Sequence, residues 1–183
     1  MKNSTSLLAA LALATATLAA PVAYAEDISN GPQALAILDT TAYFGDSFAA
    51  DNQGDTFMDQ FTFTVTDFPQ NFDAIVSSIS RAANTGLDIT ALGLYSEAGS
   101  LIRSGMSMST GARDVWTLTT TDALAVGRYY LQVSGTLVSN TSGSFGGSVM
   151  LNPVPEPETY GMLLAGLGVM GFLARRRKAA NQA

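Results

Sequence analysis

The chain has 183 residues, 47% of them hydrophobic and 13% charged, with 15 acidic side chains against 9 Lys and Arg. It contains neither His nor Cys. That excludes Ser–His–Asp and Cys–His nucleophile pairs, disulfides, and metals or haem held by those residues. A net charge of −6 also speaks against nucleic acid as a partner.

The charge is unevenly placed. Residues 26–152 hold all the acidic residues except Glu156 and Glu158, but only four basic ones, Arg81, Arg103, Arg113 and Arg128. The other basic residues are Lys2 and the run Arg175, Arg176, Arg177, Lys178. Cationic flanks beside apolar stretches at both ends are the mark of targeting segments, which must be set aside before fold reasoning.

Lys2, an apolar run from Leu7 to Ala20, and Ala23-Tyr24-Ala25 make up a secretory signal over residues 1–25, with Ala23 and Ala25 as the small residues of the cleavage site. Pro21 ends the helix of the apolar region ahead of the cut. An uncleaved anchor or a buried helix fits less well, because the run is short and rich in alanine. The mature chain is expected to begin at Glu26, outside the cytoplasm.

From Asp27 onwards the hydrophobic period is two, broken by turn residues at short intervals. Phe61–Thr66 alternates, with Phe61, Phe63 and Val65 on one face. Leu87–Ala91, Asp114–Thr119 and Arg128–Ser134 alternate likewise. Leu35–Leu38, Ala42–Phe48, Ile75–Ile79, Ser100–Ser104 and Ser148–Leu151 are weaker strands. Eight or nine short strands without an amphipathic helix predict an all-β fold, an antiparallel sandwich or jelly roll over residues 26–152. Its core is expected to draw on Phe44, Phe48, Phe57, Phe61, Phe63, Phe68, Phe72, Trp116, Tyr129 and Leu131. An exposed aromatic platform for sugars is the alternative use of those rings.

Phe57-Met58-Asp59-Gln60-Phe61 is the unusual element. In a strand, Asp59 shares its face with both phenylalanines, and an unpaired buried carboxylate is costly, so a partner or a bulge is required. Arg128, Arg113 or the N–H groups of a neighbouring turn are the candidates. On this parity Asp59→Ala is expected to cost a few kcal/mol. Asp51-Asn52-Gln53-Gly54-Asp55 clusters hard oxygen donors, but Thr56 and Thr62 stand where an EF-hand needs Gly and Glu. A solvated turn is the simpler account. No cofactor is expected, with calcium near Asp51 and Asp55, or using Asp46 and Asp59, as the alternative.

The C-terminus reads Val154-Pro155-Glu156-Pro157-Glu158-Thr159, then 15 uncharged residues from Tyr160 to Ala174, then the basic run. As a helix, residues 160–174 extend about 22 Å, short of a hydrocarbon core of about 30 Å. Snorkelling arginines close most of the gap. The expected order is linker 153–159, transmembrane helix 160–174 and cytoplasmic tail 175–183, with Arg175, Arg176, Arg177 and Lys178 fixing the orientation.

The Pro155-Glu156-Pro157 triplet, the glycine-rich apolar segment and the arginine cluster, in this order, resemble the PEP-CTERM sorting signal over Val154 to about Lys178. The resemblance implies an exosortase, a membrane cysteine transpeptidase, as partner. It would cleave near the triplet and move the protein from the inner membrane, body in the periplasm, to the cell surface or extracellular matrix. Phe57-x-Asp59-x-Phe61 is also similar to a Phe-x-Asp-x-Phe subset of such proteins, for which no activity is implied. Three functions follow. The first is a non-catalytic protein of the surface or exopolysaccharide matrix. The second is a carbohydrate-binding module. The third, least favoured, is an enzyme built on a carboxylate pair.

Overall fold

The alternating run around Phe61 extends in both directions in the computed structural model, which describes residues 25–80, 82–154 and 157–180. It becomes the ten-residue strand β3 (Thr56–Val65), in which Phe57, Asp59, Phe61, Phe63 and Val65 are all buried. The remaining strands are β1 (Gln33–Ala34), β2 (Thr41–Phe48), β4 (Gln70–Ile79), β5 (Leu87–Ser96), β6 (Leu101–Ser104), β7 (Met106–Ser109), β8 (Arg113–Thr119), β9 (Gly127–Leu137) and β10 (Gly143–Pro153). A helix, α1, spans Pro157–Ala180.

Two five-stranded sheets result, ordered β1-β3-β9-β5-β6 and β2-β10-β4-β8-β7. Every strand pair is antiparallel except β1 with β3. The chain passes between the sheets at most connections, while β5–β6 and β7–β8 pair within one sheet. The fold is all-β, as the period of two predicts.

The inner faces meet through aromatic rings. Phe44 of one sheet lies 4.8 Å from Phe61 of the other, Phe48 lies 4.6 Å from Phe57, and Phe63 stacks on Phe72 at 4.9 Å. Each such side chain contributes roughly 1.5–3 kcal/mol on full burial, which stabilises a chain without disulfides. Two of the rings need a glycine opposite them. Phe57 pairs with Gly135 and Phe44 with Gly147. A Cβ on Gly135 would lie 2.6 Å from Phe57 Cε1, and one on Gly147 would lie 2.5 Å from Phe44 Cζ. In each sheet a phenylalanine therefore lies across a glycine of the neighbouring strand.

The structure departs from the expected core and strands in four places. Phe68 is 52% exposed, because it follows Asp67, whose φ of 66° turns the chain out of β3. Trp116 and Tyr129 only border the core; their polar tips donate to the Ile89 and Ala125 carbonyls at 3.0 and 2.9 Å. Leu35–Leu38 is not a strand: pairing is confined to Gln33–Ala34 and a Leu38–Thr41 bridge. β7 was not anticipated, since all four of its residues, including Met106 and Met108, are exposed on a sheet edge.

The expected transmembrane helix is also corrected. α1 starts at Pro157, a residue suited to a helix's first turn, and runs on through the basic cluster to Ala180. Its uncharged run is only 15 residues, from Tyr160 to Ala174. Among the described residues no helix is long and apolar enough to cross a membrane. Tyr160 to Leu173 are exposed throughout, so this segment is not part of the sandwich core.

Candidate functional site

The chain from Ala25 to Leu38 forms a strap along the free edge of β3. The Thr56 N–H donates to the Glu26 carbonyl and the Ile28 N–H to the Thr56 carbonyl, both at 2.9 Å; further on, Leu35 N–H donates to Thr62 at 2.8 Å. Between these ladders the strap is held by side chains. Ser29 Oγ accepts the Met58 N–H at 2.7 Å, and Asp59 Oδ1 accepts the Asn30 N–H at 2.8 Å. Asp46, on β2 of the other sheet, accepts from Asn30 Nδ2 at 2.7 Å and Gln33 Nε2 at 3.2 Å. Two carboxylates thus converge on Asn30.

Asp59 is 1% exposed and lies in one layer with Phe57 and Phe61. Its Oδ2 is buried and has no hydrogen-bond partner. Burial pushes its carboxyl up to about 6 and the Asn30 N–H opposes this; the adjoining Asp46 carboxyl, by its charge and by a side-chain hydrogen bond that favours the protonated form, and the charge of Asp27 add to the rise. The expected arginine partners are elsewhere. Arg128 pairs with Glu97 at 3.2 Å on the surface, the one salt bridge among the described residues. Arg113 is exposed on β8 of the other sheet. The partner is a backbone N–H, the third candidate.

The Asp51–Asp55 turn does not gather its carboxylates. Asp51 sits at φ 71° with its N–H on the Asn140 carbonyl at 3.1 Å, and Asp55 Oδ1 accepts the Glu26 N–H at 2.8 Å. Among the described residues no group of three or more acidic side chains forms a metal-binding cluster.

Beside the strap lies a groove of about 720 Å³, bordered by Pro32 and Leu35 on one side and by Gln60, Thr62 and Tyr130 of β3 and β9 on the other. Tyr130 is stacked at 5.1 Å and 7° on Tyr95 of β5, so its ring is braced. Glu97 and Arg128 close one end. Tyr95, Asn30 and Gln33 were not singled out by sequence, because their roles depend on pairings between distant segments.

Of the sorting elements, Ala23, Pro155 and Glu156 lie outside the described residues, as do the side chains of Pro157 and of Arg175, Arg176, Arg177 and Lys178. Residues 153–178 match the family model for the PEP-CTERM protein-sorting motif. The tail is therefore a sorting signal of this kind, which marks the chain for export and exosortase-related processing. Among solved structures, the chain is similar to the pre-peptidase C-terminal domain of a collagenase from Bacillus anthracis. The identity is 19%, over 69% of this chain and 99% of that one, with a TM-score of 0.38. No curated protein matches the chain.

Proposed function

We propose that this is an exported, non-catalytic protein of the cell surface or exopolysaccharide matrix, whose tail is processed by an exosortase-type membrane transpeptidase. The observation that supports it is the sorting motif at residues 153–178, placed on an exposed helix after the last strand of the sandwich. The signal over residues 1–25 starts export. The tail then holds the sorting intermediate at the inner membrane, its basic cluster resisting translocation, with the sandwich in the periplasm. The non-catalytic reading is favoured by the absence of His and Cys and by the state of Glu97, the one carboxylate bordering the groove, which is tied to Arg128.

The test separates the two parts of the signal. Glu156→Ala leaves helix and charges intact, so the protein should insert but accumulate in the inner membrane with its tail uncut. Replacing Arg175, Arg176, Arg177 and Lys178 with Ser should instead let the chain escape to the medium. Fractionation with intact-mass measurement reads both. Glu156→Ala protein processed and released like wild type would reduce the triplet to a spacer.

A carbohydrate-binding role is the second reading, favoured by the groove. A braced tyrosine beside Gln60 and Thr62, with its nearest charges mutually neutralised, suits a neutral polyhydroxylated chain. Tyr130→Ala should weaken retention on the host's exopolysaccharide in affinity electrophoresis roughly tenfold, the equivalent of about 1.4 kcal/mol. Unchanged retention would remove the groove from that role.

A further inference from the structure

We propose that Asp46 and Asp59, with the side-chain amides of Asn30 and Gln33, form a calcium site that clamps the N-terminal strap to both sheets of the sandwich. Asp59 Oδ1 and Asp46 Oδ2 both bond to Asn30, at 2.8 and 2.7 Å, so carboxylates from opposite sheets meet at a single strap residue. Asp59 Oδ2 is buried there without a partner. A buried carboxylate oxygen needs a proton donor or a cation, and leaving it bare is expensive.

No described arginine meets that need. β3 and β2 lie on one side of the sandwich, whereas Arg103 on β6 and Arg113 on β8 lie towards the opposite edges of the sheets. Arg128 is held by Glu97. Asp27 adds a third negative charge from the strap, its carboxylate occupied by Ser29.

The donors available are all hard oxygens. Asn30 and Gln33 now turn their NH₂ ends to Asp46. Rotating each amide by half a turn presents Oδ1 and Oε1 instead, because the two ends of the group have nearly the same shape. Two carboxylate oxygens, two amide oxygens and water then fill the irregular six-to-eight-oxygen shell that calcium accepts and the octahedral preference of magnesium does not. With two carboxylates rather than three or four, affinity falls in the range of extracellular modules, about 10⁻⁴–10⁻³ M. Asn30, Gln33 and Asp27 are exposed, so the ion enters from the strap side. This site does not depend on the glycan reading and uses the export reading only for the source of calcium.

The test uses the full chain in mild detergent at pH 7. Thermal melting is followed in chelator, in 5 mM CaCl₂ and in 5 mM MgCl₂, with hydrogen exchange at the Asn30 amide as a local readout. Calcium should raise the melting temperature, slow exchange at Asn30 and saturate near millimolar concentration, with magnesium much weaker. Asp46→Asn and Asp59→Asn should abolish the response. Gln33→Ala, an exposed change that leaves the sandwich intact, should weaken it several-fold. Identical melting and exchange in chelator and calcium would overturn the proposal, as would an undiminished response in Asp46→Asn. A corner stabilised by acid but indifferent to calcium holds a shared proton instead, and that outcome also overturns it.

Discussion

Alanine at Gly147 is expected to cost about 3 kcal/mol or more, at the upper end of overpacking penalties. The new Cβ would collide with the Ile75 carbonyl of β4 and lie 2.5 Å from Phe44 Cζ. Neither neighbour can yield cheaply. The carbonyl belongs to the ladder that joins β10 to β4, and the ring is pressed against Phe61 at 4.8 Å. Gly146 provides the control: it is adjacent on the same strand, but its Cβ would meet nothing nearer than 3.8 Å. Urea unfolding should show a large fall in midpoint for Gly147→Ala and a small change for Gly146→Ala. Equal midpoints would mean that the glycine is not required by the ring that lies over it.

The second large effect concerns pH. In chelator, the protein should become more stable as pH falls from 7 towards 4, by up to about 3 kcal/mol. The sign follows from the protons bound. Asp59 titrates near 6 when folded, against 3.8 for an ordinary aspartate, so between these values the folded state holds a proton that the unfolded chain has released. Stability is then fully present below about 3.8 and is lost as pH rises through about 6. Asp27 acts in the opposite sense at lower pH, because the Ser29 hydroxyl and N–H hold its carboxyl below the usual range. Asp59→Asn keeps the shape and an oxygen for the Asn30 N–H while removing the charge. It should be more stable than wild type at pH 7 and clearly less dependent on pH from 4 to 7, as read by denaturant midpoints, the remaining slope coming from Asp88, whose carboxyl burial also raises. A wild-type profile that rises with pH across that range would show Asp59 to be ionised at no cost. Alanine is the blunter probe, since it removes the charge penalty and the strap's anchor together.

How much of this was legible depends on how local each cause is. The inward parity of Asp59 could be read because alternation is a property of five consecutive residues. Its partner could not, since Asn30 is 29 residues away and meets β3 only through a parallel strap that no hairpin signal announces. Opposite charge suggested Arg128. But Arg128 stands across from Thr64, on the outer face of the sheet, and that register is settled by the whole β3–β9 ladder. β7 escaped notice because four exposed residues on an edge carry no burial pattern. The sorting signal was legible in full, since a processing enzyme must itself recognise a linear order of residues. The spanning helix was misjudged, because 15 apolar residues lie near the limit where flanking side chains decide, and α1 falls on the short side of it.

The strap also bears on aggregation. A ten-residue strand with its N–H and C=O groups open along one side is a template on which another chain can add as a further strand. In the first sheet the strap covers that line beside β3 and leaves a two-residue edge at β1, while the opposite edge, β6, has four residues. In the second sheet β7 is equally short, and the longer edge strand β2 carries Asp46. Fibril growth by strand addition needs a long, flat, uncharged edge. While the strap stays seated, this fold presents none among its described strands.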